Sequence, residues 1–205
     1  MMLVYGIARI KGAAPETLIL AGVAFGYLFS AGVSALKYIA HNEVLKDLVV
    51  WLMGGLWGAN WMQVGLLIPL VLSCMAVLLC FAWDMNVLAA GEEVATNLGV
   101  NVARLRLVTL IIASLAASAT VAFTGVIGFI GLVAPHISRR LIGSDNRFLI
   151  PCSSLLGAII LLSSDTIART ILAPTEIPVG IITSSIGVPF FLYLLLKRKK
   201  IRSKL

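Results

Sequence analysis

The sequence predicts an all-α protein, a polytopic membrane helix bundle with about six transmembrane helices. Of its 205 residues, 60% are hydrophobic and only 12% are charged, whereas soluble proteins carry about 25% charged residues to keep their surface hydrated. Long apolar runs recur along the chain, each bounded by charge, proline or glycine. These observations exclude an ordinary soluble globule and a disordered chain, and also a disulfide scaffold, because all three cysteines lie within apolar runs.

Five of the apolar runs are long enough to span a bilayer, which requires roughly 20 apolar residues per helix. They cover residues 18–40, 62–81, 107–123, 150–172 and 179–196. A sixth run, residues 127–141, is short and contains Gly128, Gly131 and Pro135. It predicts a broken or half-depth helix, which lipid tolerates only where other protein covers the irregular backbone. The first twelve residues do not have the pattern of a secretory signal, because their apolar run precedes their charges.

The stretch between the first two predicted spans is aromatic and glycine-rich. Trp51, Trp57 and Trp61 interleave with glycines, which indicates a segment that lies along the membrane surface or dips into it. Before it, His41 and Glu43 predict a polar loop on the outer side.

The distribution of Lys and Arg predicts the orientation of the chain. With the C-terminal tail inside, thirteen basic residues lie on one side and three on the other, and cytoplasmic loops carry the excess of Lys and Arg in membrane proteins. Both termini are therefore expected in the cytoplasm. The net charge of +7 is explained by basic residues that hold cytoplasmic segments at an anionic leaflet. We therefore predict no nucleic-acid partner. The thirteen are Arg9, Lys11, Arg104, Arg106, Arg139, Arg140, Arg147 and six residues of the tail, and the three are Lys37, Lys46 and Arg169.

The sequence contains no motif for catalysis, for a metal ion or for another cofactor. A Gly-Lys dipeptide is absent, which excludes a phosphate-binding P-loop, and no His-Glu-x-x-His motif is present. The two histidines, His41 and His136, have no second ligand at metal-binding spacing. No paired nucleophile and base is visible. We therefore predict a chain that performs no covalent chemistry.

Residues 91–99 predict a short amphipathic helix outside the membrane. Glu92 and Glu93 favour the positive end of a helix, and Gly99 can end it in a left-handed conformation. Val94, Ala95 and Leu98 form one apolar edge. A solvated connector has little use for such an edge, whereas a helix that docks on a cytoplasmic partner needs one, and the residues alone leave both interpretations open.

Asp165 and Arg169 are spaced i, i+4 within a predicted span, so they can form an ion pair on one helix face. Counted from Pro151, Arg169 lies near the outer surface. Two interpretations remain open, an interface-anchoring pair and contact with an external partner.

Four long segments together resemble the FecCD-type permease subunit of bacterial ABC importers for iron-siderophore complexes, haem and vitamin B12. They are GEEVATNLGVNVARLR, GVIGFIGLVAPHISRRLIGSDNRFLIP, SDTIART and PTEIPVGIITSSIGVPFFLYLLLKRKK, in that order, and the resemblance runs from about Thr17 to the tail. It implies transport across the cytoplasmic membrane of a bacterium or archaeon, with ATP hydrolysed on a separate chain. The implied partners are cytoplasmic ABC ATPase subunits, an extracytoplasmic substrate-binding protein, a second permease subunit in a dimer, and the lipid bilayer.

The resemblance also assigns roles to residues of this sequence. It implies that 91–99, with Gly91, Glu92, Glu93, Val94, Ala95, Leu98 and Gly99, is the coupling helix that rests on the ATPase. It places Arg169 where the family has a basic residue that pairs with a carboxylate of the binding protein. The remaining matches are assigned to helix packing and a kink, with no ligand role: Gly125, Gly128, Gly131, Pro135 and His136.

The chain departs from the family in length. Members have about ten transmembrane helices, so residues 1–205 are expected to form one partial permease domain that corresponds to the C-terminal part. The gate residues are unassigned, because Leu18, Ile19 and Leu20 stand where the family often has small polar residues. The alternatives are an inactive truncated permease, and an ATP-independent secondary transporter or channel, which should place acidic residues or histidines at mid-membrane.

Overall fold

A computed structural model describes residues 15–173 and 177–202, and the regular structure within these ranges is helical. Three of the basic residues counted for the orientation of the chain lie outside the described residues: Arg9, Lys11 and Lys204. The helices are α1 (Pro15–Ile39), α2 (Asn42–Met53), α3 (Trp61–Cys80), α4 (Ala82–Ala89), α5 (Glu92–Asn97), α6 (Val102–Thr124), α7 (Ile130–Ile142), α8 (Asn146–Ile171) and α9 (Val179–Arg202).

Four of the described helices are long and apolar enough to cross a membrane: Ile19–Ile39 of α1, together with α3, α6 and α8. The apolar part of α9, Val179–Leu194, is shorter. α7 has 13 residues and is about 20 Å long, less than the bilayer core. The polytopic helical fold is as predicted, whereas the expected number of six spans is not established by these lengths.

The chain divides into two compact units, residues 1–49 and 50–205. In the first unit, α2 already begins at Asn42, where a polar loop was expected. The backbone N–H of Leu45 donates to the carbonyl of His41 (2.8 Å) and closes the first turn. The helix forms here because Val44, Leu45 and Leu48 repeat at helical spacing. That residues 1–205 form a single partial permease domain stays a prediction.

In the second unit, three segments meet backbone to backbone at one end, which we call the Gly125 end. Gly55 N–H donates to the carbonyl of Thr124 (2.8 Å). Gly125 has φ +68°, and a Cβ on it would overlap the carbonyl oxygen of Trp51. A Cβ on Gly180, at the start of α9, would overlap the carbonyl oxygen of Met53. Only glycine permits this approach, so the glycines fix how these segments join.

The opposite end of the same unit, which we call the Asp145 end, consists of α4, α5 and the turn at residues 143–145. α4 follows α3 after a single residue and leads through residues 90–91 into α5. α7 packs chiefly against α8, and α4 also contacts α8. The two longest spans of this unit, α6 and α8, both begin at the Asp145 end.

Candidate functional site

α5 is a short helix whose two ends are set by glycines. It begins after Gly91, at φ +134°, and its carbonyl end closes at Gly99, at φ +84°. Gly99 N–H donates to the carbonyl of Thr96 (3.0 Å), and Val100 N–H donates to that of Ala95 (2.9 Å). This bond pair with a left-handed glycine is the Schellman motif. The left-handed end expected at Gly99 is therefore formed.

The first residue of α5 is tied to α6 by an ion pair. Arg106 Nη2 lies 2.8 Å from Glu92 Oε2, and both side chains are substantially exposed. Glu93 also lies in the first turn, as the sequence predicted. Glu92 thus contacts this chain itself, a role that the sequence interpretation missed because the two residues are separated by a loop and a helix start.

The apolar edge of α5 is divided between two directions. Val94 and Leu98 are 45% and 66% exposed, whereas Ala95 is completely buried. The expectation that all three residues form one exposed edge is thus corrected for Ala95. Ala95 lies about 100° around the helix from Val94, on the side of α5 that packs against the rest of the chain. The exposed apolar surface of α5 consists of Val94 and Leu98.

A cavity of about 580 Å³ opens beside Leu98. Its walls come from α4 on one side and from residues 98–105 on the other. Asp84 and Arg104 contribute opposite charges to its lining, and Val87 and Leu105 add apolar surface. The exposed edge of α5 therefore borders a concave surface of mixed character.

A polar cluster at the turn before α8 binds α4. Asp145 is the N-cap of α8: its Oδ1 accepts from the backbone N–H of Arg147 (3.0 Å). The Arg147 guanidinium and the Asn86 amide also donate to this carboxylate, and together with the cap they hold the pKa of Asp145 well below its usual range. Asn86 belongs to α4, so the cluster joins α4 to α8.

Asp165 and Arg169 form the ion pair that their spacing predicted, at the far end of α8. Arg169 Nε donates to Asp165 Oδ2 (2.8 Å). The Arg169 side chain is 41% exposed and that of Asp165 is 16% exposed. The pair therefore presents its positive member outward.

The short helix α7 carries the other signature residues, which differ in how closely they are packed. Pro135 lies inside α7, and the kink expected there stays a prediction. A Cβ on Gly128 would lie 3.5 Å from Ser184 Oγ, an ordinary contact, and one on Gly131 would meet no atom of this chain within 4 Å. The close approach expected of these glycines is thus required only at Gly125. His136 packs edge-on against Phe190, with ring centroids 6.2 Å apart.

Phe129, just before α7, has a backbone conformation that the sequence did not reveal. Its φ is +66°, the one positive value among the described residues other than glycine, and such a conformation is unfavourable for a bulky side chain. A Cβ on Gly187 of α9 would overlap the Cβ of Phe129. The glycine therefore makes room for the strained residue.

No group of three or more His, Cys, Asp and Glu side chains capable of holding a metal ion occurs in the part of the chain that the structure describes. Two exposed features lie at opposite ends of the second unit: the short helix α5 at one end and Arg169 at the other. This arrangement defines a helical membrane protein whose candidate contact residues lie at both ends of the second unit.

The chain belongs to the FecCD transport family, whose model matches residues 1–197. It is 44% identical over 189 residues to the Fe(3+)-citrate import system permease protein of Bacillus subtilis, covering 92% of this chain and 56% of that protein. It is 47% identical over 197 residues to the cobalamin import system permease protein of Halobacterium salinarum, covering 96% and 53%. The chain therefore spans about half the length of these relatives.

A solved structure shares this fold. It is described as an inward-facing conformation of an ABC transporter assigned to the metal-chelate type, and it aligns with a TM-score of 0.84 and 39% identity. The alignment covers 95% of this chain and 63% of that one. The relatives named above are permease proteins, which are transport components rather than enzymes.

Proposed function

We propose that this chain supplies the C-terminal helices of the membrane permease of an ATP-driven importer, and that α5 is its coupling helix. The cargo class is an iron-siderophore complex, haem or cobalamin, as the names of the relatives indicate. ATP is hydrolysed on separate ATPase chains, and a second permease subunit and an external binding protein complete the complex. The positive-inside distribution of Lys and Arg supports a cytoplasmic position for α5.

The observation that carries this proposal is the exposed apolar pair Val94 and Leu98 on a helix fixed at both ends. A helix whose ends are held transmits a displacement caused by a partner to the rest of the protein, whereas a mobile loop changes its own conformation instead. Leu98 of this pair lines the cavity of about 580 Å³, and Asp84 and Arg104, which also line it, offer charges to groups of the ATPase. Such a mixture of a central apolar contact and a polar rim is typical of protein interfaces.

The mechanism follows from a change of state in the partner. ATP binding closes the two ATPases, their movement displaces α5, and the packed spans alternate between outward-open and inward-open arrangements. α5 can drive this change only because the ATPase binds it differently in the two states. The chain itself forms no covalent intermediate.

The docking of α5 is tested by measuring the affinity of the membrane complex for its ATPase. Leu98→Ala and Val94→Ala should each weaken binding by about tenfold or more, because each truncation removes two or three carbon groups whose burial stabilises a complex by about 0.8 kcal/mol each. Leu141→Ala is the matched control, since Leu141 is 67% exposed on α7 and lies outside α5. Equal affinity for all three variants would refute docking through α5.

The activity of the chain is tested by reconstitution in vesicles with its ATPase and binding protein, with and without a chain that supplies the missing helices. We expect cargo-stimulated ATP hydrolysis and uptake when the helices are supplied. Uptake driven by an ion gradient without ATP would instead identify a secondary transporter. Absence of uptake under every condition would identify an inactive product.

A further inference from the structure

Asn86 is the residue through which α4 is bound to the start of α8. Its Nδ2 donates to Asp145 Oδ1 (2.7 Å). Its Oδ1 accepts from the backbone N–H of Asn146 (2.8 Å) and from Asn146 Nδ2 (2.9 Å). One short side chain thus makes three hydrogen bonds to two consecutive residues, which leaves it little freedom to move relative to α8.

A second contact lies one helical turn away on the same face of α4. The guanidinium of Arg147 lies over the ring of Trp83, 5.3 Å from its centroid, and the same guanidinium donates to both oxygens of Asp145. Trp83 and Asn86 are three residues apart and therefore adjacent on the helix surface. Asp145 is the hub of the cluster, since it binds Asn86, caps α8 and positions Arg147.

The cluster lies at the Asp145 end and connects α5 to α8, which runs to the opposite end. Through α4, only residues 90–91 separate it from α5. Through α8, a continuous helix of 26 residues, about 39 Å long, leads from it to the Arg169 end. The other tie of α5, between Glu92 and Arg106, uses two long exposed side chains. Exposed ion pairs of this kind are weak. The hydrogen bonds of Asn86 involve short side chains and a backbone amide, so they hold α4 more rigidly.

We propose that Asn86 and Asp145 are positioning residues that pass a displacement of α5 to α8. This inference rests on the proposed function, because it assumes that an ATPase moves α5. When the ATPase displaces α5 and α4, the hydrogen bonds of Asn86 move the first turn of α8 with them. The whole of α8 then shifts, including its far end. Without the bonds, α4 moves alone, and ATP is hydrolysed with little transport.

The test exchanges the two side chains and measures cargo transported per ATP hydrolysed in the reconstituted complex. Asn86→Asp places a second carboxylate against Asp145 and should lower this ratio about tenfold, the size expected when a short-range pair is disrupted. The double variant N86D/D145N restores a pair, because the carboxylate introduced on α4 accepts from the amide introduced at the cap and from Asn146. Its ratio should return to within about threefold of the wild type. Ser144→Asp, which adds a carboxylate beside Asp145, is the charge control and should be unchanged.

The outcomes separate this inference from the proposed function. If the wild-type complex shows no ATP-driven uptake, the proposed function fails. If the wild type transports and N86D keeps the wild-type ratio, or if the double variant is as impaired as N86D, the positioning role is refuted. Recovery in the double variant supports it when all variants give the same amount of folded complex on size-exclusion chromatography, because restored stability alone would raise that amount and not the cargo transported per ATP.

A distance measurement covers the case in which N86D does not fold. Spin labels at Thr96→Cys on α5 and Phe148→Cys on α8, both exposed, are placed in a background whose native cysteines are replaced. In the wild type the distance between the labels should stay the same on ATP binding, because α5 and α8 move together. With Asn86→Ala it should change, and an unchanged distance in that variant would overturn the inference.

Discussion

Arg106 Nη2 lies 2.8 Å from Glu92 Oε2 and joins the first residue of α5 to the beginning of α6. The carboxylate that sequence reasoning assigned to contact with an ATPase is therefore held by this chain. Under the proposed function, we expect this pair to help orient α5.

Exchange of the two charges should distinguish orientation of α5 from direct contact with the ATPase. Glu92→Ala should lower transport per ATP a few-fold, and it should change the free energy of unfolding by less than about 1 kcal/mol because the pair is exposed. The swap E92R/R106E keeps the pair and should recover the ratio. A swap as impaired as E92A would show that Glu92 acts on the ATPase directly. Arg140→Ala, at the end of α7, is the control for loss of a cytoplasmic charge.

The stability of the protein should fall at acidic pH through Asp145. Its hydrogen bonds lower the pKa of this carboxyl in the folded protein. The stabilisation is therefore complete above the unfolded pKa of about 3.9 and is lost as the pH falls through the folded value. In detergent, thermal unfolding of the wild type and of Asp145→Asn should differ most near neutral pH and begin to converge below about pH 4. A constant difference from neutral pH to about pH 3 would contradict the assignment.

Replacement of Gly187 by alanine should destabilise the bundle. Alanine is favoured over glycine in a helix by about 1 kcal/mol, but its Cβ would overlap Phe129, and overpacking of this kind costs about 1–3 kcal/mol. We therefore expect a lower unfolding temperature for Gly187→Ala. Gly65→Ala is the matched control, because a Cβ there meets no atom within 4 Å. If both variants are equally stable, the contact between Phe129 and Gly187 does not constrain α9.

Arg169 should contribute to binding of the external partner. Arg169→Glu should weaken the affinity for the binding protein by about tenfold and reduce its dependence on salt, because a charge pair at an interface rim acts mainly through electrostatic attraction. Asp165→Asn leaves the positive charge but removes the ion pair that holds it, so a smaller loss is expected. Thr170→Ala, on the adjacent exposed residue, is the control. Equal affinity of R169E and the wild type, measured by surface binding, would contradict the role.

The orientation of the second unit can be tested by labelling with a reagent that does not cross the membrane. In a background without native cysteines, Thr96→Cys should react only from the cytoplasmic side, and Ala59→Cys only from the outside. The expectation follows from the positions of α5 and residues 54–60 at opposite ends of α3. Reaction of both positions from the same side would contradict the predicted topology.

Much of the fold could be predicted from hydropathy, because each span is a local property of its own residues. The ends of α5 were also local, since the two glycines are contiguous with the helix they bound. The pair of Asp165 and Arg169 followed from i, i+4 spacing on one helix. α2 was missed because a helix of 12 residues with mixed polarity resembles a loop when only long apolar runs are sought.

The contacts that organise the candidate site were not predictable in this way. Asp145 has the residue type of an N-cap, and that signal could have identified it as the start of α8. Nothing in the sequence indicates that Asn86, 59 residues earlier, is its partner. Likewise, the buried orientation of Ala95 depends on what packs against α5, and its neighbours in sequence do not determine it.

The sequence by itself determined the membrane fold, the family and the bounds of the short helix that we propose for coupling, because each depends on residues close together along the chain. Only the tertiary structure decided that Glu92 pairs with Arg106 and that Asn86 binds Asp145. It also decided that Val94 and Leu98 alone remain exposed on the apolar edge of α5. These facts depend on which helices pack side by side, and that packing results from the shapes of complete helix surfaces rather than from any short pattern.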